Sequence, residues 1–361
     1  MKHKFLKTVL STCFILSVAA GNALAQGSTN TSAEQAGINN KRTGTAAATE
    51  LLIPVGGRGL ALGGAMTTNA VGVDALHWNP AGLARMDNQA QGMFSSMPYI
   101  ADINMSYGAL ALNFSSFGQV GVFVKLMDVG DIPLTTTDDP EGLVGRTYSP
   151  TMFTVGFSLA RQFTDAITAG GTFKVISENL QRVQGTGVAI DVGIQYHGVA
   201  GFKGVNLGVV MRNFGPSVNF GGPALSRVAT AADGRRPAQH YVSNAASFEL
   251  PSSVEIGLAY VRQVNDALTM NLLGAYENDN LALDGYKGAL ELTYQMSALS
   301  MSARAGQVMR PTNEFDEDIF GITAGFGFTY ATTGMDITFD YAYRDTQYFS
   351  NSNMFSIILG F

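Results

Sequence analysis

The sequence predicts an all-β protein, a transmembrane antiparallel β-barrel of about 14 strands with a small plug in its lumen. Three observations predict it. Hydrophobic residues make up 46% of the 361 and charged residues only 14%, low against the ~25% of ordinary soluble domains. Past the N-terminal segment no apolar run reaches the ~18 residues of a spanning helix. The hydrophobicity is instead spread over many short runs in which apolar and polar residues alternate, as expected where one strand face meets lipid and the other a polar lumen. Finally, an export signal stands at one end of the chain and an apolar strand closing on an aromatic residue at the other.

Residues 1–25 read as a secretory signal peptide. Lys2, Lys4 and Lys7 make a basic start, Val9 to Ala20 is apolar, and Ala23-Leu24-Ala25 is a small-x-small cleavage site. The run is too short to cross ~30 Å of hydrocarbon. It holds Cys13, the chain's single cysteine, so the mature protein gains no disulfide. Residues 26–42, QGSTNTSAEQAGINNKR, are small and polar and read as a flexible periplasmic leader.

Residues 43–87 differ. Leu51-Leu52-Ile53 is followed by Gly56-Gly57-Arg58-Gly59, by Gly63-Gly64-Ala65-Met66, and by ALHWNPAGLAR at 75–85, which contains the only tryptophan. Pro80 forbids a continuous helix and holds Asn79 extended. The segment is too short for a core of its own, and a barrel of fourteen strands encloses more space than side chains fill. Trp78, Asn79, Pro80 and Gly82 are therefore assigned to a luminal plug.

Residues 88–361 carry the barrel. Alternation places strands near 89–98, 102–115, 118–128, 149–162, 165–179, 187–197, 203–213, 251–263, 266–277, 281–294, 297–308, 318–331, 334–345 and 352–361. Val188, Ile190, Val192, Ile194 and Tyr196 share one face against Asp191, Gly193 and Gln195. Ile337, Phe339, Tyr341 and Tyr343 oppose Asp336, Thr338, Asp340 and Arg344. Long connections (129–148, 214–250, 309–317) alternate with tight ones (162–165, 263–265, 331–333), which fits long external loops and short periplasmic turns. An even strand number then puts both the N-terminus and the C-terminus on the periplasmic side of a bacterial outer membrane.

The last strand sets Phe355, Ile357, Leu359 and Phe361 on one face, with Ser356 and Gly360 on the other. This arrangement reads as the barrel-assembly signal recognised by the insertion machinery. In the longest loop, Phe220, Arg227, Arg235, Arg236, Tyr241 and Phe248 are residue types enriched at binding hot spots, and mark a candidate partner-binding loop.

Enzymatic readings lack support. His77, His197 and His240 show no metal-ligand spacing, and no Ser–His pair is poised for nucleophilic attack. The glycines of 56–64 lack the spacing of a phosphate loop and read as tight turns in the plug. Asp138-Asp139-Pro140-Glu141-Gly142 reads as a solvated turn rather than a calcium loop. No catalytic residue, metal site or cofactor is assigned. The chain is acidic, at −6, and no nucleic-acid partner is called for.

GGRGLALGGAMTTNAVGVDALHWNPAGLAR (56–85) resembles the amino-terminal hatch of the PorV/PorQ family, relatives of the long-chain fatty-acid transporter FadL. DVGDIPLTTTDDPEGLVGRTYSPT (128–151) looks like the first long loop of the PorV-type subgroup. GVNLGVVMRNFGPSVNFGGPAL (204–225) is similar to its seventh strand and following loop. The resemblance implies a fourteen-stranded outer-membrane barrel with an amino-terminal plug. It also implies a role in type IX secretion, where such barrels receive exported cargo from the translocon and pass it to the surface attachment machinery. The partners implied are outer-membrane lipid, the barrel-insertion machinery, secreted cargo and translocon components. The alternative is a FadL-like transporter of hydrophobic small molecules.

Overall fold

Alternation along the chain becomes an alternation of environment. In a computed structural model, which describes residues 44–101, 103–114, 117–230, 237–281, 283–310 and 319–361, fourteen long strands form one closed antiparallel ring. They are β1 (Ala90–Pro98), β2 (Asn104–Phe114), β3 (Gly118–Asp128), β4 (Thr151–Gln162), β5 (Ile167–Leu180), β6 (Val183–His197), β7 (Val205–Phe214), β8 (Ser253–Gln263), β9 (Leu268–Asp279), β10 (Gly285–Met296), β11 (Leu299–Met309), β12 (Phe320–Thr332), β13 (Met335–Thr346) and β14 (Ser352–Gly360). Each pairs with its neighbours in sequence, and β1 pairs with β14 to close the ring, Gln91 opposite Gly360 and Ser96 opposite Phe355. Closure leaves no strand edge unpaired, which is what hydrocarbon requires of a sheet.

The period of two decides which residues face lipid. On β6, Val188, Ile190, Val192 and Ile194 turn outward, while Ala189, Asp191 and Gln195 are buried within the barrel. On β13, Ile337 and Phe339 point out and Asp340, Ala342 and Arg344 point in. The outward band continues through Phe94, Leu110, Phe157, Phe173, Leu258 and Leu272. An exposed apolar surface of that extent is the mark of a protein bathed in lipid.

Three stretches depart from the sequence reading, the first a two-residue ladder inside the long 129–148 connection, Ile132–Pro133 with Thr147–Tyr148. The gap expected between 179 and 187 is absent: β5 and β6 run on and turn through Gln181 and Arg182, with Gln181 in the left-handed region at φ 65°. Part of the long 214–250 connection is also sheet. Val218–Gly221 continues beside β6, and Ser247–Phe248 pairs with it. A separate hairpin, Ser226–Ala229 with Gln239–Val242, stands farther along the chain. Alternation could not announce these pieces because they are two to four residues long.

Inside the ring, residues 44–88 fold into short helical turns: Thr49–Leu52, α1 (Gly57–Ala61), Gly72–Asp74, α2 (Ala75–Trp78) and Pro80–Arg85. None is long enough to stand alone in water; their stability is that of the packing around them. This stretch runs the length of the lumen. Ala46 bridges Glu249, in the long β7–β8 connection, and Ala47 N–H donates to the Glu249 carbonyl at 3.0 Å. At the other end Gln89 and Ala90 donate to the Phe361 carbonyl at 2.7 and 3.1 Å, among the short turns. Gly44 and Phe361 thus lie at opposite ends of the barrel. The expected signal peptide, leader and periplasmic N-terminus fall on residues outside those described.

Candidate functional site

Asn79 and Pro80 fasten the plug to the wall. Pro80 opens a turn at a position where its missing N–H costs nothing. Asn79 caps it, its Oδ1 accepting from Ala81 N–H at 3.1 Å. The other end of the same amide donates to the Thr67 carbonyl at 2.7 Å and the Ile194 carbonyl of β6 at 3.4 Å. Gln195 Nε2 adds bonds to the carbonyls of Thr67 and Ala70, at 3.2 and 3.1 Å. The wall has no side chains in the way. A Cβ on Gly170 would lie 2.5 Å from the Pro80 carbonyl oxygen, one on Gly208 2.5 Å from that of Thr67, and one on Gly193 would strike Asn79 Oδ1. Gly82 is equally constrained, packed on the Ala70 carbonyl.

Charge fills much of the rest of the lumen, and most of it is paired. Arg58 of α1 grips Glu291 of β10 with two bonds of 3.0 Å, and Arg304 of β11 joins Glu291 at 2.7 Å and also Asp340 of β13. Farther up, Arg212 and Lys287 share Glu255 and Glu277 at 2.6–3.0 Å, and Lys174 pairs with Asp191 at 2.5 Å. Low-dielectric surroundings make an unpaired charge expensive, so pairing lets the barrel carry these groups inside. In the plug itself, burial lifts the Asp74 carboxyl to about 6, with Arg58 at 4.0 Å pulling it the other way. Burial also holds the His77 imidazole well below its usual value, and therefore neutral.

Among the described residues, one cavity of about 300 Å³ lies on either side of the plug. The first opens among the long loops. Leu51, Leu52 and Leu60 of the plug and Tyr99 and Phe320 of the rim line it on one side, Lys174, Arg212 and Lys287 on the other. Arg344 lies over the Phe320 ring at 3.8 Å and the Tyr99 ring at 5.3 Å. The second cavity lies toward the short turns and is polar, lined by Arg58, Asp74, Gln91, Asn271 and the β11–β13 residues Arg304, Thr329 and Asp340.

The fold is not unique to this chain. It superposes on the CymD monoaromatic hydrocarbon channel with a TM-score of 0.55, covering 86% of this chain and 98% of that one at 14% identity. The Pseudomonas putida toluene transporter TodX gives 0.52, over 83% and 96% of the two chains at 10% identity. The fold is that of these channels. No protein-family model and no curated protein matches the sequence.

The predicted residues are placed as follows. Trp78, Asn79, Pro80 and Gly82 are buried in the lumen. Phe355, Ile357, Leu359 and Phe361 form the outward face of β14 and the end of the chain. Phe220 and Phe248 pack edge to face, centroids 5.3 Å apart, and against a cluster of Leu51, Val218 and Leu250. Arg227 and Tyr241 stand in the exposed hairpin, and Arg235 and Arg236 lie outside the described residues. Asp139 is a turn cap, accepting from the amides of Leu143 and Val144 at 2.9 and 3.0 Å. Among the described residues no group of His, Cys, Asp and Glu is placed to hold a metal. The luminal ion pairs and both cavities were not foreseen. Their signal is in the sequence, as charges on the polar face of strands, but which charges meet depends on the register of strands remote in sequence.

Proposed function

We propose that this protein is a passive outer-membrane channel for small hydrophobic molecules, with its long loops outside the cell. The observation that carries the reading is the cavity among those loops, where Leu51, Leu52, Leu60, Tyr99 and Phe320 offer apolar surface at the mouth of a plugged lumen. An apolar solute entering it gains roughly 25 cal/mol for each Å² withdrawn from water, enough to collect sparingly soluble molecules at the entrance. The likeness of fold to channels described as carrying monoaromatic hydrocarbons and toluene supports the same reading. This exchanges the order of the two functions expected from sequence.

A secretion-associated barrel of the PorV/PorQ type, passing cargo to a type IX attachment machinery, is the second reading. One observation favours it: the hairpin at 226–242 presents Val228, Tyr241 and Val242 to solvent. One experiment tests both. Cells carrying the protein, cells lacking it and cells with 223–246 shortened are compared for uptake of a labelled aromatic hydrocarbon and for arrival of exported proteins at the surface. A channel gives uptake that needs the barrel and survives the shortening. Uptake equal in all three, with surface proteins lost on shortening, overturns it in favour of secretion.

A further inference from the structure

The long-loop cavity and the polar cavity share no lining residue, and the plug lies between them, with Trp78 on the first and Arg58 on the second. The Trp78 indole lies flat against the backbone of α1: a Cβ on Gly59 would come within 2.5 Å of indole Cε2 and Cζ2, and one on Gly64 within 3.1 Å of Cζ3. Arg58, the neighbour of Gly59 in α1, lines the cavity on the short-turn side. The ring thus sits one residue along α1 from a side chain that lines the other cavity. It belongs to the buried cluster that includes Leu62, Met66 and Leu83, and its polar contacts are one hydrogen bond from Nε1 to the Val55 carbonyl at 3.2 Å and an edge contact with neutral His77 at 4.8 Å.

The geometry points to Trp78 as the gate between the cavities, the residue that must leave its glycine bed for a solute to pass from the long-loop end to the short-turn end. The glycines explain the fit. Only residues without a Cβ at 59 and 64 let a ring this large close the gap without moving the backbone, and Gly64, at φ 75°, is in the left-handed region that glycine favours. An indole also suits the place, since its faces are apolar and its one donor is satisfied by a backbone carbonyl when the ring is seated. The proposal rests on the channel reading, but concerns the path through the lumen and not what travels along it.

Single-channel conductance of the purified full-length protein in planar bilayers tests it, with folding checked by heat-modifiable migration. The wild type is expected to stay mostly closed. Trp78→Ala should raise the open conductance several-fold. Gly59→Ala should do the same, because its methyl group displaces the ring while leaving the tryptophan in place. Leu83→Ala makes a void of similar origin in a plug residue that is fully buried, and should stay near the wild type. A folded Trp78→Ala or Gly59→Ala barrel with wild-type conductance overturns the gate, as does an equal rise in Leu83→Ala, which would mean general loosening. A barrel that opened in this way but carried no hydrocarbon would leave the gate standing and remove the channel function.

Discussion

Asn79 makes three hydrogen bonds with one side-chain amide, and together they join three parts of the chain. Its Oδ1 caps the turn that follows, and its Nδ2 links the plug segment at Thr67 to the wall at Ile194. Replacement by leucine keeps the branch at Cγ, adds some bulk, and removes all three bonds. Each donor or acceptor left buried costs about 1–3 kcal/mol, whereas the strand-to-strand ladder of the ring keeps all its own bonds. Asn79→Leu should therefore leave a heat-modifiable barrel whose plug is cut faster by protease. Unchanged cleavage of the plug would contradict this account. Asn79 and Pro80 were legible in the sequence because their effect is local. Their counterparts Gly170 and Gly193 were not: alternation marks them as wall residues, but nothing nearby in the chain says that a backbone will press on them.

At the scale of elements, β14 shows what a terminal residue can contribute. Phe361 lies past the last strand residue, yet its backbone accepts from Gln89 and Ala90 and donates to Ala90 at 2.8 Å. It fastens the seam where the first and last strands meet, while Phe355, Ile357 and Leu359 supply the apolar face toward lipid. Deleting Phe361 should lower the amount of folded, heat-modifiable protein in the outer membrane, read on gels of membrane fractions. Normal amounts would show that neither seam nor assembly signal depends on it. The strands themselves were the most readable elements, because each is long and one face of each is apolar. Their ends blurred where turn chemistry was unusual, as at Gln181, a residue without the glycine or asparagine that announces a left-handed turn.

For the whole molecule, the even strand count and the alternation of connection lengths carried the architecture. The separation of the long-loop cavity from the polar one could not be read, since it depends on contacts between the plug and many strands at once. One feature of that lumen bears on how the protein comes into being. The segment ahead of β1 starts at one mouth of the barrel and leaves by the other. Chains rarely pass through closed loops, and this one is too tightly bedded on the wall to be drawn through afterwards. The expected order of assembly follows: the plug is laid down first, and the sheet curls round it until β14 reaches β1. A barrel made from 88–361 alone should close empty and conduct freely, and a separately made 26–87 added later should fail to silence it. Recovery of the closed state would mean that the ring can open after it has formed. Occlusion, on this account, is a property acquired at birth, and every copy that reaches the membrane arrives already corked.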